Sequence, residues 1–110
     1  MLSAFELIIT IINRGFSEDV VDAAKSAGAQ GGTVLHARGT GVHEAEKFFG
    51  ISIQPEKEMV LTLVPSGIKQ AVMRAICEHA GLSTEGRGLS FSVPVDEVRG
   101  IAHLEQDNQA

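Results

Sequence analysis

The sequence predicts an α+β domain, a four-stranded antiparallel sheet carrying two helices on one face. Three observations lead there. The run Glu6-Leu7-Ile8-Ile9-Thr10-Ile11-Ile12 returns later as Glu58-Met59-Val60-Leu61-Thr62-Leu63-Val64. Each copy passes a glycine (Gly15, Gly67), enters a stretch of helical apolar spacing that stops at Ala-Gly (27–28, 80–81), and leads through further glycines to another strand. Finally, the chain has 110 residues, of which 44% are hydrophobic, which is enough for one core and too apolar for a disordered segment.

The first strand is expected at about 5–12. Its odd positions, Phe5, Leu7, Ile9 and Ile11, are all apolar, and its even positions are Glu6, Ile8, Thr10 and Ile12. Alternation sends the two sets to opposite faces. The uniformly apolar odd set is expected to meet the helices. The even set is mixed but too apolar for water alone, so self-association should cover it. The first helix is expected at about 17–27, with Ser17 as N-cap, Glu18 and Asp19 in the first turn, and Gly28 as its stop. Phe16, Val20, Val21, Ala24 and Ala27 form its apolar stripe.

The second strand follows at about 33–38. The third strand repeats the first, with Met59, Leu61 and Leu63 on one face and Glu58, Val60, Thr62 and Val64 on the other. The second helix is expected at about 67–80, capped by Ser66 and stopped by Gly81, with a stripe of Ile68, Ala71, Val72, Ala75 and Ile76. The last strand is expected at about 89–93, where Leu89, Phe91 and Val93 alternate with Ser90 and Ser92 before Pro94 ends it. Two βαβ units in tandem give a ferredoxin-like βαββαβ sandwich. One domain spans 1–102, and the polar stretch 103–110 forms a tail.

Aromatic residues are limited to five Phe, so the core must be aliphatic. The formal charge of −5, with no basic stripe, argues against a nucleic-acid partner. A local anion site needs only a few arginines and backbone N–H groups. Cys77 is the single cysteine, so no internal disulfide can form, which suits a reducing, cytoplasmic setting. The apolar run at 7–12 is too short to span a bilayer.

Three glycine-rich places could approach a ligand: Gly31-Gly32-Thr33, Arg38-Gly39-Thr40-Gly41 and Gly86-Arg87-Gly88. Glycine permits close backbone approach and turns N–H groups toward phosphate oxygens, although any βαβ unit also needs such residues for its turns. The arginines beside the second and third sites favour the ligand reading. Between the second and third strands, His43-Glu44-Ala45-Glu46-Lys47-Phe48-Phe49-Gly50 has the pattern of a short helix, and Ile51-Ser52-Ile53 alternates like a strand. A connector of this length packs over the core edge or meets a partner.

These stretches resemble those of the PII signal-transduction (nitrogen regulatory protein P-II) family and mark the chain as a divergent PII-like member. Gln30-Gly31-Gly32-Thr33-Val34 is similar to the family's G-x-T-V entry to its second strand. Arg38-Gly39-Thr40-Gly41 is similar to the K-G-x-G that opens the T-loop, here 42–57. Gly86-Arg87-Gly88-Leu89-Ser90-Phe91-Ser92-Val93-Pro94-Val95 is similar to G-D-G-K-I-F-V-S-P-V, the phosphate-binding B-loop (here 82–88) with its following strand. Asp96-Glu97-Val98-Arg99 is similar to the acidic pair and basic segment near the family's C-terminus.

The resemblance implies a non-catalytic homotrimer. Adenine nucleotide (ADP, AMP or ATP) would bind in clefts between subunits and act as effector, with no cofactor required. The T-loop would signal to a membrane transporter or an enzyme. Carried over by position, Thr33 would lie near the adenine, Arg38, Gly39 and Gly41 at the loop base, Lys57 beside the phosphates, and Gly86, Arg87 and Gly88 around them, with Arg99 reaching in from a neighbouring chain. His43, Lys47, Phe48 and Phe49 would form the partner-contact surface.

The departures from the family pattern are specific. Leu89 replaces the B-loop lysine, Val42 the arginine after K-G-x-G, and Glu56 the lysine that follows a proline. Two lost charge-assisted contacts cost roughly 3–6 kcal/mol, so a nucleotide with fewer phosphates or another small anion is expected to compete with ATP. Without a tyrosine, the family's tyrosine modification is impossible.

Two other readings share the fold. One is a divalent-cation-tolerance-like trimer without nucleotide. The other is a small ferredoxin-fold enzyme with His36 or Glu58 as its acid–base group. His36, His43, Cys77, His79 and His103 show no metal-ligand spacing. Glu6 and Glu58 are expected to line a subunit contact or channel.

Overall fold

The computed structural model describes residues 4–39, 55–84 and 87–100, and the backbone alone of 46–48 and 51–53. The elements run β1 (Phe5–Asn13), α1 (Ser17–Ser26), β2 (Thr33–Arg38), β3 (Glu46–Phe48), β4 (Ile51–Ile53), β5 (Glu56–Pro65), a 3-10 turn (Ser66–Ile68), α2 (Lys69–Ala80) and β6 (Gly88–Val95). Four strands form one antiparallel sheet in the order β2-β5-β1-β6, with β1 and β5, the two copies of the repeat, at its centre. This is the expected ferredoxin-like sandwich.

The facing of the strands is the reverse of the expectation. Ile8, Thr10 and Ile12 of β1 and Val60, Thr62 and Val64 of β5 are buried beneath the helices, packing with Val20, Ala23 and Ala24 of α1 and Val72, Ile76 and Ala80 of α2. Each fully buried Val or Ile contributes roughly 1.5–3 kcal/mol. The odd set, Leu7, Ile9, Ile11, Met59, Leu61 and Leu63, lies on the uncovered face and is only half-buried. Leu35, Leu89, Phe91 and Val93 extend that face onto both edge strands. Alternation divides a strand into two faces without saying which one a helix covers. The helix-facing set accommodates Thr10 because its Oγ1 and Ser90 Oγ share a hydrogen bond of 3.0 Å across β1 and β6.

Three boundaries also differ. Pro94 lies inside β6, opposite Glu6, where an edge strand leaves its missing N–H without consequence. Residues 46–48, expected within a helix, pair antiparallel with 51–53 as a separate two-stranded sheet. Phe16, not Ser17, is the N-cap of α1, without a side-chain cap bond, and the Ser66 turn precedes α2 without capping it. Gly81 does end α2 in the left-handed conformation, at φ +67°, with its N–H bonded to the Cys77 carbonyl.

Candidate functional site

Four loop-bearing strand ends meet at one end of the sheet. Antiparallel pairing sets Asn13 at the end of β1 opposite Lys57, Arg38 at the end of β2 opposite Glu56, and Gly88 at the start of β6 opposite Ile12. The turn after β1 is closed by a bond from the Arg14 N–H to the Glu56 carbonyl, 3.3 Å, and the chain leaving β2 by one from the Gly39 N–H to the Pro55 carbonyl, 3.5 Å. Gly39 and Pro55, on either side of 40–54, are thereby held together here.

An open cleft of 480 Å³ lies at this end, lined by Arg14, His36, Ala37, Arg38, Glu56 and Lys57. Lys57 is buried, its Nζ donating to Asn13 Oδ1 at 2.6 Å. Arg14 is ion-paired with Glu56, and both side chains remain largely exposed. Arg38 is exposed on the edge strand. The lining thus offers three cations against one carboxylate, a surface suited to anions.

Glu58 does not line this cleft, although it pairs across the ladder with His36, which does. Its carboxylate accepts from the Gly15 N–H at 2.6 Å and the Ser17 hydroxyl at 3.2 Å. The Gly15 N–H above all, against the opposing effect of burial and with help from Ser17 and His36, holds Glu58 below its ordinary pKa. Glu6 lies 3.8 Å from Lys69 at the start of α2. Neither glutamate belongs to the open face of the sheet. Among the described residues no three His, Cys, Asp or Glu gather as a metal site.

Arg87 and Gly88 sit at the same end but on the opposite edge. Arg87 Cζ stands 4.7 Å from the centroid of the Phe16 ring, a cation–π contact that holds the guanidinium over the start of α1. Gly88 has φ +136°, and a Cβ there would collide with the Ile11 carbonyl. Strand order separates Arg38 from Gly88 by three strand spacings, about 14 Å.

Thr33 opens β2 at the end remote from Arg38, five residues or about 16 Å away. Arg99 follows the far end of β6 and is paired with Glu97 at 2.5 Å. The chain therefore unites Arg38 and Lys57, sets Arg87 and Gly88 at the other edge, and leaves Thr33 and Arg99 apart. Gly41, His43, Phe49 and Gly86 lie outside the described residues, as do the side chains of Lys47 and Phe48.

A family model of nitrogen regulatory protein P-II matches residues 5–105. The chain belongs to the P-II family. Among solved structures, it is similar to PII of Arabidopsis thaliana bound to citrate, with 24% identity and a TM-score of 0.69 over 93% of this chain and 84% of that one, a likeness of fold. No curated protein matches.

Sequence reasoning missed Arg14, Asn13 and Phe16 as parts of this end. The signal was present: aligning the two repeats antiparallel sets Asn13 against Lys57 and brings Arg14 to Glu56. Phe16 reads as a core residue by helical spacing, yet it is 36% exposed and stacks beneath Arg87. No helix among the described residues is long and apolar enough to cross a membrane.

Proposed function

We propose that this protein is a non-catalytic, trimeric PII-like regulator. An adenine nucleotide or related small anion binds in clefts between subunits, at the base of the 42–57 connector, and changes how that connector engages a transporter or enzyme. The observation that carries this reading is the convergence of Arg14, Arg38 and Lys57 on a cleft bounded by both ends of the connector. An anion there contacts the residues that anchor the loop, so it can bias loop conformation by differential affinity.

Two further features support the subunit arrangement. The uncovered sheet face is almost wholly apolar, from Leu35 on one edge to Leu89, 53% exposed, on the other. Such a face is stable in water when sister protomers cover it. In addition, Arg38 and Arg87 occupy opposite edges, so a small ligand that touches both requires the edge of a neighbouring subunit.

Isothermal titration calorimetry with ATP, ADP and AMP tests the reading, with light scattering for the assembly. Saturable heat with at least one nucleotide, from a particle of three chains, is expected. No heat at high protein concentration, or a monomer at micromolar dilution, would overturn it.

A further inference from the structure

Glu56 stands among the cations of the cleft as an anion of the protein's own. Its carboxylate is paired with the Arg14 guanidinium. Its cross-strand partner in the ladder is Arg38, so the two side chains leave the same face of the sheet about 5 Å apart at their Cβ atoms. The nearby Glu58 does not share this role, because its carboxylate is engaged by Gly15 and Ser17. Among the described residues lining the cleft, Glu56 is the one carboxylate.

We infer that Glu56 sets the charge limit of the cleft, admitting a phosphate-bearing ligand of low charge, such as a nucleoside monophosphate, and disfavouring a triphosphate. This rests on the reading of the cleft as an anion site. The Arg14–Glu56 pair is exposed, so it holds weakly and a ligand phosphate can take Arg14 from it. Once freed, the Glu56 carboxylate remains beside the ligand, and its repulsion grows with the charge the ligand carries. Two further charges held about 6 Å away, in a medium as screening as water, lower affinity about tenfold.

The test is calorimetry of AMP and ATP, without magnesium, on the full chain and on Glu56→Gln. The variant is expected to tighten ATP about tenfold more than AMP, and Glu56→Lys to extend the same trend. A variant that changes both nucleotides in equal proportion, or neither, while the parent protein binds AMP, overturns the inference and leaves the anion-site reading standing. A loss of thermal stability with an unchanged AMP-to-ATP ratio makes the ion pair merely structural and also overturns it. If neither parent nor variant binds either nucleotide, the nucleotide reading falls and takes the inference with it.

Discussion

Glu58 in β5 fastens the start of α1 through Gly15, whose N–H donates to its carboxylate at 2.6 Å. The bond joins the second copy of the repeat to the helix of the first. Because the acceptor is ionised and the side chain is buried, the bond is of the stronger, charge-assisted kind. Glu58→Gln is expected to destabilise the fold by about 1–2 kcal/mol in urea unfolding at neutral pH.

The same bond fixes a pH dependence. The folded state holds Glu58 below its ordinary pKa, so the stabilisation is complete above the unfolded value and drains away as pH falls through the folded one. Urea midpoints measured from pH 7 downward should decline below about pH 4.5, and more steeply in the parent protein than in Glu58→Gln. Parallel curves for the two proteins would contradict the assignment.

Thr62 is buried, and its hydroxyl has no partner among the described residues, whereas the equivalent Thr10 bonds to Ser90. Continuing the β2–β5 ladder by one residue sets Gly32, with no side chain to offer, beside Thr62 where β6 sets Ser90 beside Thr10. Thr62→Val should therefore stabilise the protein by about 1 kcal/mol, while Thr10→Val, which strands the Ser90 hydroxyl, should not. Thermal melts of the two variants side by side decide this.

Gly88 combines a positive φ with backbone packed against Ile11 and Ile12. Gly88→Ala has neither the conformation nor the space, and it is expected to cost about 2–4 kcal/mol and displace the start of β6. Circular dichroism melts report the first effect, and loss of nucleotide heat the second.

Ile9 lies at the centre of the uncovered face, between Leu61 and Phe91. Ile9→Lys places a charge there without disturbing the helix-facing core. Light scattering should show monomers, and nucleotide binding should be lost with the clefts between subunits. A trimer that survives this change would remove that face from the assembly.

The duplication made the fold legible, because two strand–helix–strand units of matching apolar pattern admit few arrangements. The bounds of β2 were readable to the residue, since glycines flank its β-branched and apolar run on both sides. The facing of β1 and β5 was not, because the mixed set is itself largely apolar, and the packing of Ile8, Ile12, Val60 and Val64 with the helices decides which set is covered. Pro94 read as a terminator because its place on an edge strand depends on the sheet order. Arg38, Lys57, Arg87 and Gly88 were singled out through their glycine context or family position, and all four lie at this end of the sheet. Arg14 has no such mark and becomes visible only when the strand register brings it to Glu56.

The turn after β1 is tied by the Arg14 N–H to the Glu56 carbonyl, and the turn after β5 by the Ser66 N–H to the Ala4 carbonyl. Each repeat thus borrows one clasp from its twin, beside bonds of its own such as that from the Phe16 N–H to the Asn13 carbonyl. Such reciprocity favours a single cooperative transition, since no half-built intermediate contains both members of either clasp.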